Sequence, residues 1–125
     1  MDTLSKNEVI IYGDGLQKSE YIYVKDVSES FFRIIDKEVN TGTDVIHVGS
    51  GNNHSVLDIV SSLEKAWGKK INKKFVNMRP GEHKIEINLD PKNLKKYLDY
   101  ELQWDLIKGL KETIPYYLEQ HKRNN

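Results

Sequence analysis

Val45-Ile46-His47-Val48-Gly49-Ser50-Gly51-Asn52-Asn53-His54-Ser55 is the stretch whose reading decides the fold class. Its first four residues are mostly β-branched and read as a buried strand. The Gly-Ser-Gly-Asn-Asn run is loop chemistry, and Ser55 is a good N-cap. Beyond it, Val56, Ile59, Val60, Leu63 and Trp67 recur at helical spacing until Gly68, which suits a left-handed helix end. Outward toward the N-terminus, Glu8-Val9-Ile10-Ile11-Tyr12 is a second short strand, stopped by Gly13-Asp14-Gly15. Tyr21–Val24 reads as extended. Asp26 or Ser28 then caps a helix with Val27, Phe31, Ile34 and Ile35 on one face, broken at Thr41-Gly42-Thr43.

Outward toward the C-terminus, Lys74–Met78 reads as a strand ending at Arg79-Pro80-Gly81. Ile85, Ile87 and Leu89 alternate with polar residues, a half-buried strand pattern. Asp90-Pro91, a cap followed by an N1 proline, opens a short helix through Leu98. The last helix runs from about Trp104 to Gln120 with Leu106, Leu110, Ile114 and Tyr117 inward, and Pro115 kinks it or forces a restart. Strands alternating with helices make the chain an α/β protein. At 125 residues it is expected to form a single domain, residues 1–125.

Composition removes several function classes. Nineteen basic residues balance nineteen acidic ones, which argues against nucleic acid or an anionic membrane surface as partner. The absence of Cys excludes a disulfide scaffold, an iron–sulfur cluster and a thiol nucleophile. Apolar runs fall short of the roughly 18 residues of a spanning helix, and Met1-Asp2-Thr3-Leu4 shows no basic n-region. The expectation is a cytoplasmic protein with no membrane partner. His47, His54, His83 and His121 are scattered without ligand spacing, so no metal site is expected; His47 is a candidate core position on its strand.

Three motifs imitate dinucleotide chemistry. Gly13-Asp14-Gly15 follows a strand, but Lys18 stands at the third glycine position and an extended segment follows. The fingerprint needs a helix there, because the helix N-terminus holds the pyrophosphate. Gly49-Ser50-Gly51 leads toward a helix but has His54 at its third position. Tyr21-Ile22-Tyr23-Val24-Lys25 satisfies Tyr-x-x-x-Lys, whose acid/base chemistry needs both side chains on one helix face so that the ammonium lowers the phenol pKa. On a strand the two positions would lie about 13 Å apart. No catalytic or cofactor-binding residue is therefore assigned.

Taken in order, four segments resemble one family. They are Ile10-Ile11-Tyr12-Gly13-Asp14-Gly15-Leu16-Gln17 with Tyr21–Val27; His47-Val48-Gly49-Ser50-Gly51 with Ser55-Val56; Arg79-Pro80-Gly81-Glu82; and Leu98-Asp99-Tyr100 with Leu106–Leu110. Their order and spacing, from about Glu8 to Gln120, are similar to the C-terminal portion of the extended short-chain dehydrogenase/reductases, the NAD-dependent nucleotide-sugar epimerases and dehydratases. The resemblance implies a small mixed α/β lobe without the N-terminal Rossmann half, and hence a fragment, a truncated product or one half of a split enzyme. NAD is expected in the complete family enzyme but not on this chain.

The resemblance also implies site roles. Tyr12 would line the nucleotide base pocket and Arg79 would contact the diphosphate. Glu82 would reach the ribose or brace Arg79. Guanidinium matches phosphate oxygens bidentately, and a carboxylate accepts from sugar hydroxyls. Where the family places a second phosphate-binding arginine, this chain has Ser19 preceded by Lys18, and His47 replaces the usual Asn. Without the resemblance, Arg79 is an ion-pair partner of Glu82 and Tyr12 ordinary packing. Two functions follow: the nucleotide-sugar-binding part of an epimerase or dehydratase completed by a separate Rossmann-domain partner, or a non-catalytic module that binds a nucleotide sugar or self-associates as a homo-oligomer.

Overall fold

The computed structural model describes residues 2–40, 42–82, 86 and 89–123. In chain order the elements are α1 (Asp2–Lys6), β1 (Glu8–Tyr12), β2 (Lys18–Glu20), α2 (Val24–Asp36), β3 (Asn53–Ser55), α3 (Val56–Trp67), β4 (Asn72–Val76), α4 (Lys92–Leu98) and α5 (Leu106–Arg123). The small mixed α/β class expected from the strand–helix alternation is what the chain adopts. β1 and β4 pair in parallel, Glu8 with Asn72 through Tyr12 with Val76. β2 and β3 pair antiparallel, Lys18 with Ser55 and Glu20 with Asn53.

Helix α3 forms as its sequence dictates. The Asp58 N–H donates to Ser55 Oγ at 3.0 Å, and the Ser55 N–H donates to the Asp58 carboxylate at 2.9 Å, a reciprocal capping box. The Ser55 hydroxyl and N–H together hold the Asp58 carboxyl below its usual range. Gly68 ends the helix at φ +74°. The apolar face of α3 packs on β1, and Ile11, Val60 and Ile71 form one core with Val9, Leu63 and Trp67 around it. A second core joins Leu94, Leu98 and Tyr100 to Ile34, Val39, Ile46 and Val48.

Several expectations are corrected. Val45–Val48 is not a strand: among the described residues no strand completes its backbone hydrogen bonds, so Ile46 and Val48 pack as irregular chain while Val45 and His47 are exposed. Residues 21–23 lie outside any ladder, Tyr23 has extended backbone, and helix α2 begins at Val24 with Tyr23 as N-cap. Asp26 does not cap that helix, because its buried carboxylate is engaged by a distant segment. The packed side of α2 carries Asp26, Ser30 and Ile34, whereas Phe31 and Ile35 point outward at 62% and 75% exposure. β4 starts two residues earlier than Lys74. Pro91 is the N-cap of α4 rather than N1, with Asp90 Oδ1 accepting from the Lys92 N–H at 3.0 Å.

α5 runs unbroken through Pro115. The proline is exposed, and so is Lys111, whose carbonyl loses its partner on the side open to water. Ile85 and Ile87 lie outside the described residues. Leu89 is not in a strand, and Glu86 makes only an isolated bridge with Lys18.

Candidate functional site

The parallel ladder places the site. Tyr12 closes β1 opposite Val76, and the Gly13 N–H extends the pairing to the Val76 carbonyl at 2.9 Å. Three residues after β4, the chain reverses at Arg79-Pro80-Gly81-Glu82. Proline fixes φ at the second position, Gly81 takes φ +81° at the third, and the Glu82 N–H donates to the Arg79 carbonyl at 3.1 Å. These are the marks of a type II turn. The turn aims the Arg79 guanidinium across the Tyr12 ring, 4.0 Å from the ring centre. Its Nη1 lies 3.5 Å from Glu82 Oε1.

Tyr12, Arg79 and Glu82 thus come together at one end of the parallel ladder, the end where both strands finish. Arg79 and Glu82 are 58% and 42% exposed, so the cluster is an open ledge with a guanidinium available to solvent. The Lys18 contacts run elsewhere. Its ammonium faces Glu86 at 3.8 Å, and the same Glu86 carboxylate accepts from Asn53 Nδ2 at 3.2 Å. Ser19 lies opposite His54 in the β2–β3 pair.

Two carboxylates organise the surroundings: Glu20, which the sequence reading passed over, and Asp26, which it took for a helix cap. Glu20 accepts from the Ser50 and Gly51 N–H groups through Oε1, at 2.8 Å for Gly51, and from the Leu89 N–H through Oε2 at 3.3 Å. It therefore ties β2 to the Gly-Ser-Gly loop and to the segment entering α4. Asp26 accepts from the Tyr100 hydroxyl and from the Gln103 and Trp104 N–H groups. Neither role has a local signature, because each partner lies 30 or more positions away. Tyr21, His54, Trp104, Lys108 and Lys111 line a separate open groove of about 840 Å³ beside the start of α5.

No family model matches the chain. Individual proteins do. It is 35% identical to UDP-glucose 4-epimerase of Bacillus subtilis, over 79% of this chain and 28% of that protein. It is 31% identical to the Pasteurella multocida UDP-glucose 4-epimerase, over 89% of this chain and 32% of that one. Its fold superposes on the Thermotoga maritima UDP-glucose 4-epimerase with UDP-glucose at a TM-score of 0.82 and 26% identity, covering 95% of this chain and 38% of that chain. For the Bacillus cereus UDP-glucuronic acid 4-epimerase in complex with UDP-glucuronic acid and NAD, the TM-score is 0.75 at 30% identity, with 87% of this chain and 35% of that chain covered.

The chain belongs to the NAD-dependent nucleotide-sugar epimerase/dehydratase family. It spans about a third or less of the length of the curated relatives it matches.

Within that family's terms, the two glycine turns do not fit a dinucleotide. Gly13–Gly15 leads into β2, not into a helix. Gly49–Gly51 leads into β3, and the first N–H groups of α3 beyond it are already used: Val56 donates to the Gln17 carbonyl, Leu57 to the Gly15 carbonyl and Asp58 to Ser55 Oγ. A pyrophosphate would find no free donors at that helix start. The Lys25 ammonium bonds Glu112 at 3.3 Å and sits 4.7 Å from the centre of the Trp104 ring, so its partners are these groups rather than Tyr21. Among the described residues no cluster of three metal-ligating side chains forms, and no helix is long and apolar enough to cross a membrane.

Proposed function

We propose that this chain is the C-terminal, nucleotide-sugar-binding portion of a cytoplasmic epimerase or dehydratase, and that it is not catalytic alone. Tyr12 lines the base pocket, Arg79 holds the diphosphate and Glu82 meets the ribose. Lys18 and Ser19 stand at the second phosphate position, where an ammonium supplies charge without the planar fork of an arginine. The single observation that carries this reading is the Arg79 guanidinium stacked on Tyr12 at an open ledge, a cation and an aromatic face presented together. NAD and the residues that move hydride and protons belong to the family's Rossmann half, whether joined to these residues or supplied by a separate partner. There the sugar carbon is oxidised by bound NAD, rearranged and reduced again. Calorimetry with uridine or thymidine diphosphate on the chain and on Arg79→Ala tests it. Loss of a charge-assisted bidentate contact is expected to weaken binding about ten- to a hundredfold. Unchanged affinity refutes the placement of the phosphate.

A second reading, an assembly module, is favoured by one specific observation. Val24, Phe31, Phe32 and Ile35 on α2 are each more than 60% exposed. Such a concentration of large apolar side chains is typical of an interaction surface. In this reading the chain assembles with further copies of itself, with or without a bound nucleotide sugar.

A further inference from the structure

A small apolar cavity lies at the start of α5 and shares no lining residue with the Arg79 ledge. It holds about 170 Å³ among Tyr21, Tyr23, Trp104, Leu106 and Leu110, close to the roughly 150 Å³ that admits one benzene ring. Its walls are set by contacts that need no ligand. The Trp104 N–H is bonded to the buried Asp26 carboxylate at 3.1 Å, and the Trp104 and Tyr23 rings meet with centres 4.7 Å apart. Gly109 lets the Tyr23 ring come this close to α5, because a Cβ there would lie 3.1 Å from Tyr23 Cδ2. Tyr21, Trp104, Asp105 and Leu106 also line the groove of about 840 Å³, so cavity and groove adjoin.

The surplus charge beside the cavity is positive. Asp105 lines both spaces, but its Oδ1 accepts from the Lys108 N–H at 2.8 Å, and Glu112 faces the Lys25 ammonium at 3.3 Å. The Lys108 ammonium bonds a neutral carbonyl, that of Gln103 at 3.0 Å, and lies 4.3 Å from the centre of the Trp104 ring. With Lys111 on the same groove wall, two ammonium groups stand against carboxylates that already have donors. An apolar pocket with a few charged groups at its rim is the usual form of a small-molecule site. We propose that this pocket binds a small aromatic carboxylate, its ring held among Tyr21, Tyr23 and Trp104 and its anionic group at Lys108. The site is independent of the diphosphate reading of Arg79.

Titration of the full chain with phenylacetate, followed through the indole N–H signals in nuclear magnetic resonance, tests this. The Trp104 signal, identified by its loss in Trp104→Phe, is expected to shift with a dissociation constant on the order of millimolar while the Trp67 signal stays in place. Acetate, which lacks the ring, and phenethylamine, which reverses the charge, are expected to leave both signals in place at the same concentrations. Lys108→Gln should weaken phenylacetate binding about two- to fivefold, and Arg79→Ala should not change it. A Trp104 signal that ignores phenylacetate overturns the proposal. An equal response to phenethylamine, or an affinity unchanged in Lys108→Gln, overturns it as well, because the carboxylate would then have no part in recognition.

Discussion

The Tyr100 hydroxyl donates to Asp26 Oδ1 at 2.6 Å, and both residues are buried. Asp26 belongs to the first turn of α2, whereas Tyr100 lies just past α4, so one oxygen pins two helices whose sequences are far apart. Gln103 and Trp104 complete the acceptor's coordination with N–H groups at 2.9 and 3.1 Å. Removing the hydroxyl in Tyr100→Phe should destabilise the fold by about 1.5–3 kcal/mol, the range for a hydrogen bond to a charged group. Burial, reinforced by the Asp26 bond, pushes the Tyr100 phenol well above its ordinary value near 10. Above that pH the unfolded chain loses the proton that the folded chain keeps, so this group's contribution falls as pH rises. Urea unfolding from neutral to alkaline pH should show the decline in the wild-type chain and a shallower one in Tyr100→Phe.

At the acid end, Glu64 is the group to follow. Its carboxylate accepts from the Ile71 N–H and then from the Lys73 ammonium, both at 2.9 Å, and these hold its pKa at about 2 against an ordinary 4.5. The contribution is present above about 4.5 and is lost as pH falls toward 2. Urea midpoints measured across that window should drop less steeply for Glu64→Gln than for the wild-type chain. Parallel curves would show that the Ile71 and Lys73 contacts do not form in solution.

Gly49 is placed where a side chain has no room. A Cβ there would lie 2.8 Å from Glu20 Oε1 and 2.8 Å from Leu89 Cβ. The carboxylate cannot swing aside without giving up three N–H donors, and the Leu89 Cβ is fixed by its backbone. Gly49→Ala is therefore expected to cost about 1–3 kcal/mol, the usual range for overpacking. Thermal unfolding followed by circular dichroism measures it, and Glu20→Gln, which keeps the shape, should cost less.

The outward face of α2 predicts self-association of the isolated chain. With no net charge, copies lack the repulsion that would hold such faces apart. Light scattering across a concentration series should show the mass rising into the high micromolar range. Phe31→Glu combined with Ile35→Glu should abolish that rise while leaving the far-ultraviolet circular dichroism unchanged. A wild-type chain that stays monomeric would rule out this face as a self-contact.

Legibility in the sequence followed the range of the forces involved. The Ser55 cap, the Gly68 stop and the turn at Gly13–Gly15 depend on neighbours a few residues away, and these could be read directly. The Arg79–Glu82 pair is local and could be read directly, whereas the meeting of Arg79 with Tyr12 could be anticipated only through a family resemblance, because it depends on which strands pair. Val45–Val48 shows the converse: β-branched residues favour a strand, yet a strand exists only where a second one accepts its hydrogen bonds. Periodicity likewise marked Phe31 and Ile35 as one apolar face of α2 without saying what would cover it. Asp26 looked like a cap because cap and buried acceptor are the same residue type, distinguished only by partners more than seventy positions later.

The parallel pairing of β1 and β4 also governs when the ledge comes into being. Parallel strands cannot be joined by a tight turn, so α2, the Gly-Ser-Gly loop and α3 must all be traversed before Glu8 meets Asn72. Closing so long an excursion costs chain entropy before any contact repays it, which makes such pairings late and slow events in folding. Tyr12 and Arg79 come together only through that closure. A ligand gripping both would therefore bind only the closed chain and slow its opening as a whole. Ligand affinity would in turn report whether the whole circuit from β1 to β4 is intact.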